Sequence, residues 1–289
     1  FTLTADVQAA ITNLQNQINN ISGGSAQATE LVYVDASYTG GNSDGSITKP
    51  YVTLGAACNA KLTSTTSTTN YCIQLAPGTY TGAITINGDT KTNSFSIRGS
   101  GIHNTFVQGG SSFHHTHADI LFFRYFKNIE ISDFTIENCR YGFYPRNCDS
   151  VSMRNIRFRY CGSDGTANRH DQSGTKAEQA TFWGSNATTS GGACRIRDVG
   201  QISIHEVEVA YCLRGLRLQD CGTADNASIV SNCKTYRTLE SGIYCAAGTY
   251  TGSSGCVNML ITGNQIVEII GPLIKKTSRP GASATIGGF

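Results

Sequence analysis

Charge is scarce in this chain. Of its 289 residues only 15% are charged, against a usual share of about a quarter, and 22 Lys+Arg against 20 Asp+Glu leave a formal net charge of +2. That balance excludes a nucleic-acid packager and a basic membrane-binding surface. No apolar run approaches the roughly 18 residues that cross a bilayer, and no signal-peptide pattern is recognisable, so neither nucleic acid nor membrane is expected as a partner. Proline is also sparse, with 5 residues against 32 glycines, while Ser, Thr and Asn crowd every segment and 39% of the chain is hydrophobic. This is the composition of a folded, turn-rich, strand-rich protein rather than a disordered one.

Cysteine is plentiful but lacks pairing. The eleven cysteines are odd in number and contain no CxxC spacing, which argues against a zinc site and a stapled miniprotein. Most flank strand-like runs, where a free Cys behaves as a small buried hydrophobe. The reading is therefore reduced thiols, no metal or other cofactor, and folding in a cytoplasm.

Near the N-terminus, Val7, Ile11, Leu14, Ile18 and Ile21 follow the 4, 3, 4, 3 spacing of a coiled-coil seam. Ile at a with mixed Leu and Ile at d leans towards trimers. Residues 1–22 are thus expected to be a trimerisation helix, tied through a linker at 23–30 containing Gly23-Gly24-Ser25 to the body. A single helix packing on its own domain is the alternative.

From residue 31 the texture becomes short runs of alternating β-branched and aromatic residues between Gly, Asn and Asp. Runs 129–139, 151–161 and 202–212 align on Cys139, Cys161 and Cys212, bringing Phe134, Ile156 and Val207 together. A second family of runs follows at 142–148, 193–199, 215–221 and 242–248. The step from Cys139 to Cys161 is 22 residues, one coil of a β-solenoid with strands about 4.8 Å apart. A ladder of stacked thiols is expected, because parallel register suits a disulfide poorly. The step to Cys212 is longer by a polar insertion, 162–192, which carries the only tryptophan, Trp183.

The segments VYVDASYTGGNSDGSITKPYVTLGAACNA (32–60), IQLAPGTYTG (73–82) and SIRGSG (96–101) resemble the opening coils of right-handed parallel β-helix proteins of the pectate-lyase-like superfamily. The resemblance covers roughly residues 31–270 and implies an all-β solenoid with a short capping helix near its start. A coiled coil feeding such a solenoid further resembles bacteriophage tailspikes and tail fibres. That resemblance implies a homotrimer assembled in the host cytoplasm, located in the virion, bound to other virion proteins through its N-terminal end and contacting host-surface polysaccharide. Residues 271–289 are expected to cap the last coil or reach a neighbouring chain.

Many relatives cleave polysaccharides, but the chain has no Asp-Asp pair, no Gly-His-Gly and no Trp-x-Asp-His. Glycoside hydrolysis needs at least two carboxylates, and the candidates are Asp164, Asp171 and Glu178 in the insertion with Asp198 and Asp220 at successive strand ends. Asp133, Asn155 and Glu206 align as a polar stack, read as structural. If Ile196, Leu216, Leu218, Ile243 and Cys245 point inwards, then Tyr144, Arg146, Arg195, Arg197, Arg217, Gln219 and Tyr244 point outwards on neighbouring coils. Arginine forks and tyrosine faces suit carboxylated or hydroxyl-rich sugars, and Trp183 with Arg169, His170 and Asp171 would extend them. A subunit-facing or solvated sheet is the competing reading. His114, His115, His117 and Asp119 have ligand-like spacing and are read as a polar loop. The sequence thus points to a stiff, adhesive structural virion protein, with a polysaccharide depolymerase or a capsid-stabilising protein as alternatives.

Overall fold

The computed structural model describes residues 29–63, 69–88, 93–109, 119–162, 191–238, 241–246 and 255–267. The heptad positions Val7, Ile11, Leu14, Ile18 and Ile21, the 271–289 segment and all but the edges of the insertion lie outside the described residues.

One helix opens the body. Thr53 caps α1 (Leu54–Leu62) by accepting a hydrogen bond from the Ala56 amide, and Leu54, Ala57, Cys58 and Leu62 are buried. The expected capping helix is therefore present, packed against strands β1 (Thr29–Val34), β2 (Asn70–Leu75) and β4 (Ile84–Asn87). The Pro-Gly-x-Tyr turn leads into β3 (Gly78–Thr81), where the buried Tyr80 hydroxyl lies 3.0 Å from the Val34 carbonyl and 2.9 Å from that of Ala76.

The chain then climbs through β5 (Ser94–Arg98), β6 (Thr105–Gln108), β7 (Leu121–Arg124), β8 (Asn128–Cys139), β9 (Tyr141–Cys161), β10 (Gly192–His205), β11 (Glu208–Ala210), β12 (Leu216–Cys221), β13 (Ser228–Ser231), β14 (Lys234–Tyr236), β15 (Ile243–Ala246), β16 (Met259–Thr262) and β17 (Gln265–Val267). Every ladder between these strands is parallel, and they stack as three faces of a parallel β-helix. Face one runs inwards through Val32, Ile73, Ile97, Ile131, Met153, Ile204 and Val230 in register. Face two stacks Tyr80, Val107, Ile136, Phe158, Val209 and Thr235. Face three stacks Ile84, Leu121, Phe143, Cys194, Leu216 and Ile243. The lumen is apolar because alternate side chains on every face point into it.

Single residues make the corners. Asp133, Asn155, Glu206 and Asn232 turn face one into face two; Asn138, Tyr160, Tyr211 and Arg237 turn face two into face three; Tyr125, Asn147, Asp198 and Asp220 return to face one. All have φ between 49° and 65°. Left-handed backbone is costly for L-residues, least so for Asn and Asp, and the cost is offset by stacking. Asn155 Nδ2 donates to Asp133 Oδ1 at 2.8 Å, and the rings of Tyr160 and Tyr211 stack at 5.6 Å. The aligned Asp133, Asn155 and Glu206 are thus corner residues, in keeping with their structural reading.

Cys139 and Cys161 pair in register with their sulfurs 3.4 Å apart, and the Cys161 amide donates to Cys212 Sγ at 3.4 Å. All eleven cysteines are free. Burial pushes the thiols of Cys139, Cys161 and Cys212 up from their ordinary range.

Candidate functional site

The outward side of face three is where chemistry collects. Its first row stacks Phe122, Tyr144, Arg195, Arg217 and Tyr244, and its second stacks Arg124, Arg146, Arg197 and Gln219. Each strand contributes one residue to each row because the side-chain period of two, repeated in parallel register, turns a sequence alternation into a column. The structure therefore brings Tyr144, Arg146, Arg195, Arg197, Arg217 and Tyr244 onto one face, as their alternation requires. Trp183, Arg169 and His170 lie outside the described residues.

Three of the cations lie over aromatic rings. Arg124 lies over Phe122 at 4.5 Å, Arg195 over Tyr144 at 5.0 Å and Arg217 over Tyr244 at 5.7 Å, while Phe122 and Tyr144 are 4.9 Å apart. Arg195 donates to Gln219 Oε1 at 3.0 Å. Tyr144, Arg197 and Gln219 are buried, and Phe122, Arg124, Arg146, Arg195, Arg217 and Tyr244 are half-buried. Carboxylates are few here among the described residues: Asp198 Oδ2 lies 3.4 Å from Arg146 Nε and 3.3 Å from Arg197 Nε. The Nε atoms of Arg124, Arg195 and Arg217 are buried without a hydrogen-bond partner. Burial, aided by the positive charges of Arg195 and Arg214, pulls Arg217 below the ordinary guanidinium range.

Phe122 and Arg124 join this face although the alternation of the repeats does not single them out, because the run LFFR lies apart from the second family that begins at GFYPR. A signal exists in the matching pattern of the two runs: Leu121, Phe122 and Arg124 pair with Phe143, Tyr144 and Arg146. At the rim of the face Arg140 grips Asp119 with two bonds, 2.8 and 2.9 Å. Asp119 is thereby a salt-bridge acceptor, and His114, His115 and His117 lie outside the described residues.

Among the carboxylate candidates, Asp198 and Asp220 occupy one corner position on successive coils. Both have structural partners, Asp198 the two arginines and Asp220 the Gly255 amide at 3.2 Å. Asp164, Asp171 and Glu178 lie outside the described residues.

Over residues 81–268 the chain matches the family model described as "Periplasmic copper-binding protein (NosD)". No curated protein and no solved structure gives a match. The family is periplasmic, which points to a bacterial cell envelope and overturns both the virion location and the cytoplasmic assembly expected from the sequence. The thiols mislead for a physical reason. Cys139, Cys161, Cys194, Cys212 and Cys221 are at most 2% exposed, and a thiol sealed in a solenoid core meets no oxidant whatever its compartment. With about two thirds of its length matched, from the last residue of β3 past the end of β17, the chain belongs to the NosD family, whose fold is the parallel β-helix of the pectate-lyase-like superfamily.

Proposed function

We propose that this chain is a stiff envelope-located binding protein, without catalytic activity, whose face three holds carboxylate-bearing glycans. The observation that carries the reading is the stacking of arginines on consecutive coils with few carboxylates among the described residues and with the buried Nε atoms of Arg124, Arg195 and Arg217 left unpaired. Unit charges one coil apart (~4.8 Å) repel by about 3 kcal/mol at an effective dielectric of ~20, before salt screens them. A carboxylate polymer would remove that repulsion and supply bidentate partners, and sugar rings would lie against Phe122, Tyr144 and Tyr244. The heptads at Val7–Ile21 support self-association as a trimer, which would place three such faces on one particle and raise avidity for a repeating polymer.

The copper in the family's name has no support in the described residues. No group of three or more His, Cys, Asp or Glu among them could hold a metal ion. His205 is bonded to Ser203 and Ser231, His103 lies 3.5 Å from Arg157, and burial keeps the Cys139, Cys161 and Cys212 thiols from ionising.

The test is incubation with alginate or hyaluronate beside neutral dextran, following retention of the protein and release of new reducing or unsaturated ends. Retention on the uronic-acid polymers without release is the expected result. Release would replace this reading with a depolymerase and make Asp198 and Asp220 the first residues to mutate. Neither signal would leave a purely structural solenoid.

A further inference from the structure

Face three has a direction as well as a charge. The Nε atoms buried there without a partner belong to Arg124 on β7, Arg195 on β10 and Arg217 on β12. Arg124 stands in the second row, whereas Arg195 and Arg217 stand in the first. β7 pairs with β9, β9 with β10 and β10 with β12, so three coil steps, about 14 Å in all, separate Arg124 from Arg217. The line through these arginines runs along the solenoid axis and drifts by one row. Among the described residues the rows carry no charge beyond its ends: Thr85 and Asn87 continue them on β4, and Tyr244 and Ala246 on β15.

The rims of the face account for the drift. Towards face one, the corner residues are Tyr125 and Asn147 beside β7 and β9 but Asp198 and Asp220 beside β10 and β12. Towards face two, Asp119 lies just ahead of β7 in the grip of Arg140. Arg124, Arg195 and Arg217 thus each stand in the row further from the acidic rim of their own coil. An anionic chain laid across β7, β10 or β12 would find two arginines in the rows at most and would have to pass a carboxylate, which repels it. A chain laid along the axis stays between the rims. It finds a cation on every coil from β7 to β12, namely Arg124, Arg146, Arg195 with Arg197, and Arg217.

Building on the glycan reading above, on which it rests, we propose that the ligand is a linear polyuronate held along the solenoid axis from β7 to β12, with Arg124 and Arg217 gripping opposite ends of one stretch of polymer. Chain length is then what the face selects. Each carboxylate that pairs on one coil raises the effective concentration of the next carboxylate at the following coil, so a ligand that reaches from Arg124 to Arg217 gains over one that touches a single coil. Guanidinium groups suit this task because they take carboxylates in a bidentate fork and stay charged while half-buried.

The experiment is calorimetric titration of the full chain, and of its Arg124→Gln and Arg217→Gln variants, with the disaccharide and the hexasaccharide of mannuronate. For the wild type the dissociation constant should fall at least about tenfold from disaccharide to hexasaccharide. Each variant should weaken the hexasaccharide at least about threefold, while the disaccharide, too short to reach both arginines, is weakened by at most one of them. A disaccharide that binds as tightly as the hexasaccharide, or a hexasaccharide weakened by only one variant, would overturn the axial path and leave face three a glycan site. The wild-type comparison stands even if a variant fails to fold. Binding of neither ligand would overturn the glycan reading and the path with it.

Discussion

Faces two and three are adjacent sides of one solenoid, share one lumen and differ in what they show outwards. On face two the charges alternate: Arg159 pairs with Glu137 at 2.7 Å and Arg157 with Glu208 at 3.0 Å, each across one coil spacing. On face three arginine follows arginine, with Arg195 beside Arg217 and Arg146 beside Arg197. Cross-strand neighbours of opposite charge stabilise a sheet and like charges weaken it. Among the described residues face two pairs its charges internally, while face three leaves its arginines short of carboxylates. The first arrangement is the one a stable sheet favours, and the second is the basis of the proposed polyanion binding.

The largest effects should be common to both faces, because they arise in the lumen. Phe143 behind face three and Phe158 behind face two are both fully buried. Truncation of either to Ala should cost about 3–5 kcal/mol through lost burial and a cavity, read by urea unfolding. A much smaller loss for Phe143 would mean that face three is loosely packed and that its outward side cannot be compared with face two. Polymer binding should separate the faces next. Arg195→Ala with Arg217→Ala should weaken alginate binding at least about tenfold, roughly 1.4 kcal/mol. Arg157→Ala with Arg159→Ala should leave it within about twofold, and equal losses from both pairs would reduce the site to net charge.

Much of this contrast is legible in the amino-acid sequence. The 22-residue step, the Cys139 to Cys161 register and the outward row from Tyr144 to Tyr244 all follow from period-two alternation, which survives because each strand has one side in the core. Corners are harder to read. Asp133 and Asn155 look like turn residues, but Tyr160 and Tyr211 do not, and their left-handed backbone is held by stacking with the coil above rather than by local propensity. Phe122 and Arg124 are obscured because LFFRYF reads as a nearly continuous apolar run. Compartment is misjudged from the cysteines because most of them are small buried apolar residues, whose free state says little about the redox environment.

Gln219→Glu would turn part of face three into face two. Gln219 is 2% exposed and already accepts from Arg195 at 3.0 Å, so a carboxylate of the same shape would meet Arg195 and the neighbouring Arg197. Charge-assisted bonding exceeds neutral bonding, and the gain left after desolvation of the new charge should be about 1 kcal/mol. The variant should unfold at higher urea concentration and bind alginate more weakly. Higher stability with unchanged binding would show that the polymer lies elsewhere.

The smallest effect is also the most direct reading of the contrast, a pair of double-mutant cycles on the unliganded protein. Removing Glu137 and Arg159 singly and together should give a favourable coupling of about 0.5 kcal/mol, the ordinary worth of a partly exposed pair. The same cycle on Arg195 and Arg217, each changed to Gln, should give a coupling of similar size and opposite sign, since each arginine is more comfortable once the other is neutral. Salt decides whether these couplings are electrostatic. At 0.5 M NaCl the screening length falls to about 4 Å, shorter than one coil spacing, and both couplings should shrink towards zero. A face-three coupling that stays unfavourable in high salt would point to steric crowding of the guanidinium groups, and the case for an anionic partner would lose its main physical support.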